Sequence, residues 1–244
     1  MRIDDSLHML EVKAWGDGFL GLAALRGDDG SVALFDAGLP GSLPSLRACL
    51  DEAGLPFDAV DRVFVTHHDF DHIGGLPELL AAAAPRKVLV LAHAEEVPYI
   101  QGERPPVKTE PAVRARMQAN LPEGQVLGPA RPLENPPRIP VGTVLADGQR
   151  LDFAGGITAI HVPGHTPGHL CYYLPRSRVL VAGDALRAAD GRLEPPAPEH
   201  SADVRLARAS LAKLADLDLA AVVCYHGGCA TGDLRARIRA LAAR

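Results

Sequence analysis

Between Val63 and Gly75 the chain runs Val63-Phe64-Val65-Thr66-His67-His68-Asp69-Phe70-Asp71-His72-Ile73-Gly74-Gly75, an apolar stretch giving way to five ionisable residues in six positions. Three β-favouring apolar residues ahead of imidazole, carboxylate and a glycine pair predict a buried strand that empties into a polar turn. His67 and Asp69 are two apart, so in extended chain they point the same way. Asp71 and His72 follow where the chain turns and can face a second point a few ångströms off. Imidazole and carboxylate are ligands that Zn, Fe and Mn accept, and two offset clusters suit two cations better than one.

An isolated histidine pair would read as a solvated loop. Here the pattern recurs along the chain. Asp36 ends the strand-like run Val32 to Phe35, Asp184 follows Val179 to Gly183, and His226 follows Ala221 to Tyr225 just before Gly227-Gly228. His161, His165 and His169 are four apart, but Pro163 and Pro167 forbid a shared helix face. Each candidate lies where an apolar run stops and Gly or Pro begins, the place where a sheet delivers side chains to a site on its rim.

This ordered set resembles the metallo-β-lactamase superfamily. The signature is a strand-end Asp, then His-x-His-x-Asp-His, a later His in a Pro-Gly-His setting, an Asp after Gly, and a final His; the match runs from about Asp36 to His226. The resemblance implies that His67, Asp69 and His165 hold metal one, that Asp71, His72 and His226 hold metal two, and that Asp184 bridges them. The cofactor it implies is two divalent ions, Zn by default. Asp36 is expected to orient a ligand rather than touch metal. His68 and His169 are expected to hydrogen-bond around the site or face substrate, and Gly74-Gly75 to let backbone approach the metals.

One position departs from the family. Asp69 stands where its second motif histidine should be, giving His-x-Asp-x-Asp-His, and shifting the register onto His68 would put Phe70 at a ligand position. An anionic oxygen ligand lowers the charge on metal one and hardens the site, which favours Fe or Mn. In that respect the chain resembles the flavodiiron branch, whose members carry Glu here.

The chemistry implied is hydrolysis. Two bridged cations would lower the pKa of a shared water to about 7. The resulting hydroxide would attack a carbonyl, with Asp71 as the catalytic carboxylate that orients it and relays its proton. Tyr172, Tyr173 and Tyr225 are candidate donors to the developing oxyanion. A small-molecule ester, lactone or thioester is the expected substrate. The alternative is a di-iron oxidoreductase or an oxygen- or sulfur-handling protein of the same fold, although the chain has no CxxC pair to deliver electrons.

Composition narrows the classes further. At 244 residues, 47% hydrophobic and 23% charged, the chain suits a globular domain over 1–244 that buries a substantial core. Its net charge of −5, with the basic residues scattered, argues against a nucleic acid partner. No 18-residue apolar run is present and Met1 to His8 is polar, so no membrane partner and a cytoplasmic location are expected. Only 18 residues follow His226, too few for the helical domain that binds glutathione in glyoxalase II. Cys49, Cys171, Cys224 and Cys229 are expected as free thiols. His93 is a further rim candidate with a structural or substrate-facing role, while His8 and His200 are expected at the surface.

The elements that must position these residues follow from periodicity and turn residues. Met9–Val12, Phe19–Leu25 and Val32–Phe35 read as an antiparallel meander, its first turn at Gly16-Asp17-Gly18. Helices are expected over Leu43–Ala53 capped by Ser42, Leu76–Ala84, Glu110–Asn120, from Ser201 or Asp203 to Leu214, and from Thr231 to Ala243. Further strands are expected over Lys87–Ala92, Val144–Phe153, Ile157–Val162, Leu170–Leu174, Val179–Ala182 and Ala220–Cys224. Glu95 to Pro140 carries ten prolines and reads as a long irregular insertion, either a lid that covers the metal cleft and selects substrate, or a surface excursion or contact between copies of the chain in a homo-oligomer. Two strand-rich halves, each with helices, predict an α/β (α+β) fold, a four-layer αββα sandwich.

Overall fold

The structure, a computed structural model, describes residues 1–14, 16, 18–129 and 137–243. In chain order its strands are β1 (Leu7–Lys13), β2 (Phe19–Arg26), β3 (Val32–Phe35), β4 (Val60–Phe64), β5 (Leu89–His93), β6 (Thr143–Leu145), β7 (Arg150–Leu151), β8 (Ile157–His161), β9 (Leu170–Leu174), β10 (Val179–Val181), β11 (Arg187–Ala189), β12 (Arg192–Glu194), β13 (Ala221–Cys224) and β14 (Gly228–Ala230). The helices are α1 (Leu43–Glu52), α2 (Phe70–Ile73), α3 (Leu76–Ala83), α4 (Val97–Ile100), α5 (Pro111–Ala119), α6 (Val204–Ser210) and α7 (Leu234–Ala242).

One six-stranded sheet runs in the order β1-β2-β3-β4-β5-β6, antiparallel through β3 and parallel from there. The other runs β14-β13-β10-β9-β8-β7, and β11 pairs with β12 in a separate hairpin. Period-two alternation sorts the side chains into layers. In β1, Leu10 and Val12 face the cluster that holds Leu46 and Leu50 of α1 and Leu76 and Leu79 of α3, whereas Leu7 and Met9 face the other sheet. In β10, Val179 and Val181 face inward, while Leu180 turns to the outer cluster with Leu234, Ile238 and Leu241 of α7. Helix, sheet, sheet and helix are therefore stacked in that order.

The inner layer is centred on a triangle of Phe35, Phe64 and Tyr172, ring centroids 5.2 to 5.3 Å apart. Such pairs add roughly 0.5–1.5 kcal/mol each beyond area burial. The Tyr172 hydroxyl donates across the sheets to the Val65 carbonyl at 2.7 Å, which fixes the chain just ahead of His67. On the opposite flank the Gly21 amide of β2 donates to the Tyr225 carbonyl at 2.7 Å, beside His226.

Several expectations need correction. The run Val144–Phe153 is not one strand: β6 pairs with β5 in the first sheet and β7 with β8 in the second, because the chain crosses between sheets at the Asp147-Gly148 turn. Ser42 sits at the start of α1 but makes no side-chain cap; its hydroxyl donates to Leu39 O at 2.6 Å instead. Asp203 and Asp233 cap α6 and α7 by accepting from Leu206 and Ala236 amides, so neither Ser201 nor Thr231 starts a helix. His8 is buried, since its even position in β1 shares the helix-facing parity of Leu10. The proline-rich stretch holds the expected helix, as α5, and is otherwise less irregular than expected, with α4 and a 3-10 turn at Val107–Thr109. Its residues 130–136, like Asp17 of the first turn, lie outside the described residues. Among the described residues no helix is long and apolar enough to cross a membrane.

Candidate metal centre

The two parallel strands β3 and β4 end side by side, and their C-terminal ends build the first half of the site. Asp36 follows β3 with φ of 63°, a left-handed conformation that Asp tolerates better than most residues. That turn aims its carboxylate at three donors. Oδ1 accepts from the Thr66 amide at 2.8 Å, and Oδ2 accepts from the Thr66 hydroxyl at 2.7 Å and from His72 Nδ1 at 2.8 Å. The Thr66 hydroxyl has given its proton to Asp36, so it accepts from His67 Nδ1 at 2.9 Å. These partners assign the tautomers and leave Nε2 of His67 and His72 as the atoms turned toward the cleft.

Asp69 opens the single turn α2, yet its carboxylate makes no capping bond and reaches into the cleft. Asp71 and His72 sit within that turn. Its C-terminal end needs Gly75: a Cβ there would lie 2.1 Å from the Ala37 carbonyl oxygen. The glycine pair thus packs against the 37–40 loop and does not open a backbone path to the cleft, contrary to expectation.

The second half comes from the other sheet. His165 lies between β8 and β9, Asp184 beyond β10, and His226 beyond β13. Gly183 is required ahead of Asp184, because a Cβ there would meet His169 Nε2 at 2.8 Å and Thr66 Cβ at 2.9 Å. His169 Nε2 accepts from the Asp184 amide at 3.1 Å, which commits its lone pair and leaves His165 as the histidine of this loop that faces the cleft.

The seven side chains form two adjoining groups. Asp69 Oδ2 is 3.2 Å from His67 Nε2 and 3.0 Å from His165 Nε2. Asp71 Oδ2 is 3.7 Å from His72 Nε2 and 3.3 Å from His226 Nε2. Asp184 touches both groups: Oδ2 is 3.4 Å from His165 Nε2 and from His226 Nε2, and Oδ1 is 3.4 Å from His72 Nε2. His67 Nε2, His72 Nε2 and Asp184 Oδ1 are buried without hydrogen-bond partners. An unpartnered buried polar atom costs about 1–3 kcal/mol, and several converging on one point are the signature of a cation site. Nitrogen and oxygen donors in these two groups fit a divalent metal.

Electrostatics differ between the groups. Burial, then neighbouring His72, pushes His67 well below the ordinary histidine range. Burial acts to raise Asp69, but Lys108 and His67 outweigh it and hold the carboxyl well below the usual range. Burial likewise opposes charge on His72, yet Asp36, Asp71 and Asp184 hold it well above its ordinary value. His226 rises to about 9 because its bonds to Asp184 and Asp71 outweigh burial.

Other expected residues lie elsewhere. His68 turns away from the cleft, contacts the buried Glu96 carboxylate through Nδ1 and stacks on Tyr99 at 4.2 Å. His93 stacks on His161 at 4.1 Å with the rings 14° apart, and His161 Nε2 bonds the Pro167 carbonyl at 2.8 Å, so the pair braces the loop that carries His165. The three tyrosines do not serve as oxyanion donors: Tyr172, Tyr173 and Tyr225 give their protons to the carbonyls of Val65, Asp218 and Asp71. Three participants escaped the sequence reading. Thr66 directly precedes His67, a usable signal; Glu96 and Lys108 lie in no motif.

The sequence profile of the Metallo-beta-lactamase superfamily matches residues 16–226. The "Probable metallo-hydrolase YflN" of Bacillus subtilis is 30% identical over 229 residues, 88% of this chain and 82% of that protein. A hydroxyacylglutathione hydrolase of Ruegeria pomeroyi is 27% identical over 199 residues, covering 81% of this chain but only 57% of its own length. Among solved structures, the metallo-beta-lactamase family protein TTHA1429 of Thermus thermophilus superposes with a TM-score of 0.70 at 27% identity, covering 99% of this chain and 80% of that one. TTHA1623, solved in a di-iron-bound form, gives 0.62 at 25% identity over 93% of this chain and 97% of its own.

Proposed function

Because the chain belongs to the metallo-β-lactamase superfamily, we propose that this metal-dependent hydrolase cleaves a small-molecule ester, lactone or thioester at two adjoining cation positions. His67, Asp69 and His165 would hold one ion, Asp71, His72 and His226 the other, with Asp184 shared. The observation that carries this reading is the convergence of unpartnered His67 Nε2, His72 Nε2 and Asp184 Oδ1 between the two groups. Likeness to a hydroxyacylglutathione hydrolase supports an acyl substrate. Divalent ions bound here supply Lewis acidity and lower the pKa of water to about 7.

The chain's own residues supply the rest. Asp36 and Thr66 lock the His72 and His67 rings so that no reorientation is needed during reaction. His226 is 37% exposed while His67 and His72 are fully buried, so substrate enters from the His226 side. Asp71, on that side, accepts the proton of the attacking water and returns it to the leaving group.

Zinc suits the histidines. Iron or manganese suits the carboxylate at Asp69, and the di-iron form of TTHA1623 supports an iron centre and with it an oxidoreductase as the second reading. Metal analysis of purified protein followed by screening against lactone, thioester and phosphodiester panels separates these. Hydrolysis of an acyl substrate that stops on metal removal is expected. A visible-absorbing two-iron protein with no hydrolysis on any panel would replace the hydrolase reading.

A further inference from the structure

The cationic side chain that reaches the first group is Lys108. Its Nζ contacts Asp69 Oδ2 and lies 2.8 Å from His165 Nε2. These are the two atoms through which Asp69 and His165 would hold an ion. The lysine is delivered by a built platform. The Val107 amide donates to His68 Nε2 at 3.3 Å, and Val107 is buried with Tyr99, Val113, Met117 and Ala202. His68 is fixed in turn by Glu96, whose carboxylate contacts its ring and accepts from the His68 amide at 2.8 Å and the Gly168 amide at 2.6 Å. Glu96 therefore ties together the strand-end motif, the loop that carries His165, and the turn that carries Lys108.

We propose that Lys108 is a built-in counter-cation for Asp69, so that one divalent ion binds first at Asp71, His72, His226 and Asp184, and a second enters only when Lys108 withdraws. Two physical facts carry this. His165 Nε2 lies 2.8 Å from Lys108 Nζ and 3.0 Å from Asp69 Oδ2, and whether it accepts from the ammonium or donates to the carboxylate, it cannot ligate a metal at the same time. An ammonium and a divalent ion sharing one carboxylate oxygen also repel strongly at contact distance. The extra negative charge that Asp69 brings in place of a histidine is cancelled locally by Lys108. The proposal deepens the reading of this site as a metal centre and rests on it.

Chelator competition on metal-stripped full chain, with Zn²⁺ as probe, tests the proposal. Wild type is expected to hold one ion tightly, and Lys108→Met to hold two, the second tightened at least about tenfold. A readout needing no variant is the EPR spectrum of wild type with one equivalent of Mn²⁺, expected to be that of an isolated ion. Equal affinities in wild type and Lys108→Met, or a spin-coupled pair at one equivalent, would overturn the proposal and leave the hydrolase reading standing. Failure of the wild type to hold any ion would overturn both.

Discussion

The two ligand groups use the same residue types and share Asp184, yet their electrostatic settings are opposite. Around Asp69, burial holds the imidazoles of His67 and His165 low, and an internal ammonium offsets the carboxylate. Around Asp71, carboxylates hold His72 and His226 above the ordinary histidine range, and His226, at about 9, carries a proton at neutral pH. Both arrangements solve one problem, how to keep a cluster of carboxylates in a largely buried cleft without unpaired charge. One uses a lysine, the other uses protons. A lysine must move as a side chain, whereas protons leave one at a time, and the proposed order of loading rests on that difference.

The largest effect is expected from Asp184→Asn, since among the described residues this carboxylate alone touches both groups. It should lower hydrolysis about a thousandfold or more and reduce the ion content, because loss of an outer partner already costs roughly 10–100-fold. Unchanged metal content, by elemental analysis, would remove Asp184 from its shared role and break the comparison. Next is Glu96, which supports the Asp69 side only. Burial opposes its charge, but His68 and hydrogen bonds bring it down to about 2 from 4.5. A depressed carboxyl stabilises fully above its unfolded pKa and loses that contribution as pH falls through the folded value. Denaturation should therefore show wild type more stable than Glu96→Gln by about 3 kcal/mol above pH 4.5, the gap closing toward pH 2. A gap independent of pH would show that the pair matters through shape and not charge.

A smaller effect sharpens the other side. His226, raised to about 9, is protonated at neutral pH, so binding the first ion must release its proton. Affinity should rise with pH up to about 9, by at most about tenfold per unit for each proton displaced. Calorimetry in buffers of different ionisation enthalpy counts those protons, and a count of zero would contradict the charged state assigned here.

Much of this was legible in the residues themselves. Each candidate ligand ends an apolar run, and a strand's end is a position that local sequence fixes, so His67, Asp69, Asp71, His72, His165, Asp184 and His226 do meet at one rim. Strands that are nearly continuous apolar runs bounded by turn residues, such as Phe19–Arg26 and Leu170–Leu174, are readable from composition. What escaped depends on long-range packing. Period-two alternation does not say which sheet a strand joins, so the split of Val144–Phe153 was invisible. Lys108 meets Asp69 across 39 residues and Glu96 meets His68 across 28, and no local spacing announces either pair. A lone histidine such as His8 looks like a surface residue until its strand parity is weighed.

The site is assembled from both sheets: His67, Asp69, Asp71 and His72 come from the first, and His165, Asp184 and His226 from the second. An ion seated among them fastens one half of the molecule to the other, as a rivet does two plates. Its loss would leave the halves joined by the apolar interlayer and the few hydrogen bonds that cross it, such as Tyr172 to Val65, and resistance to heat would then climb with the logarithm of free metal concentration.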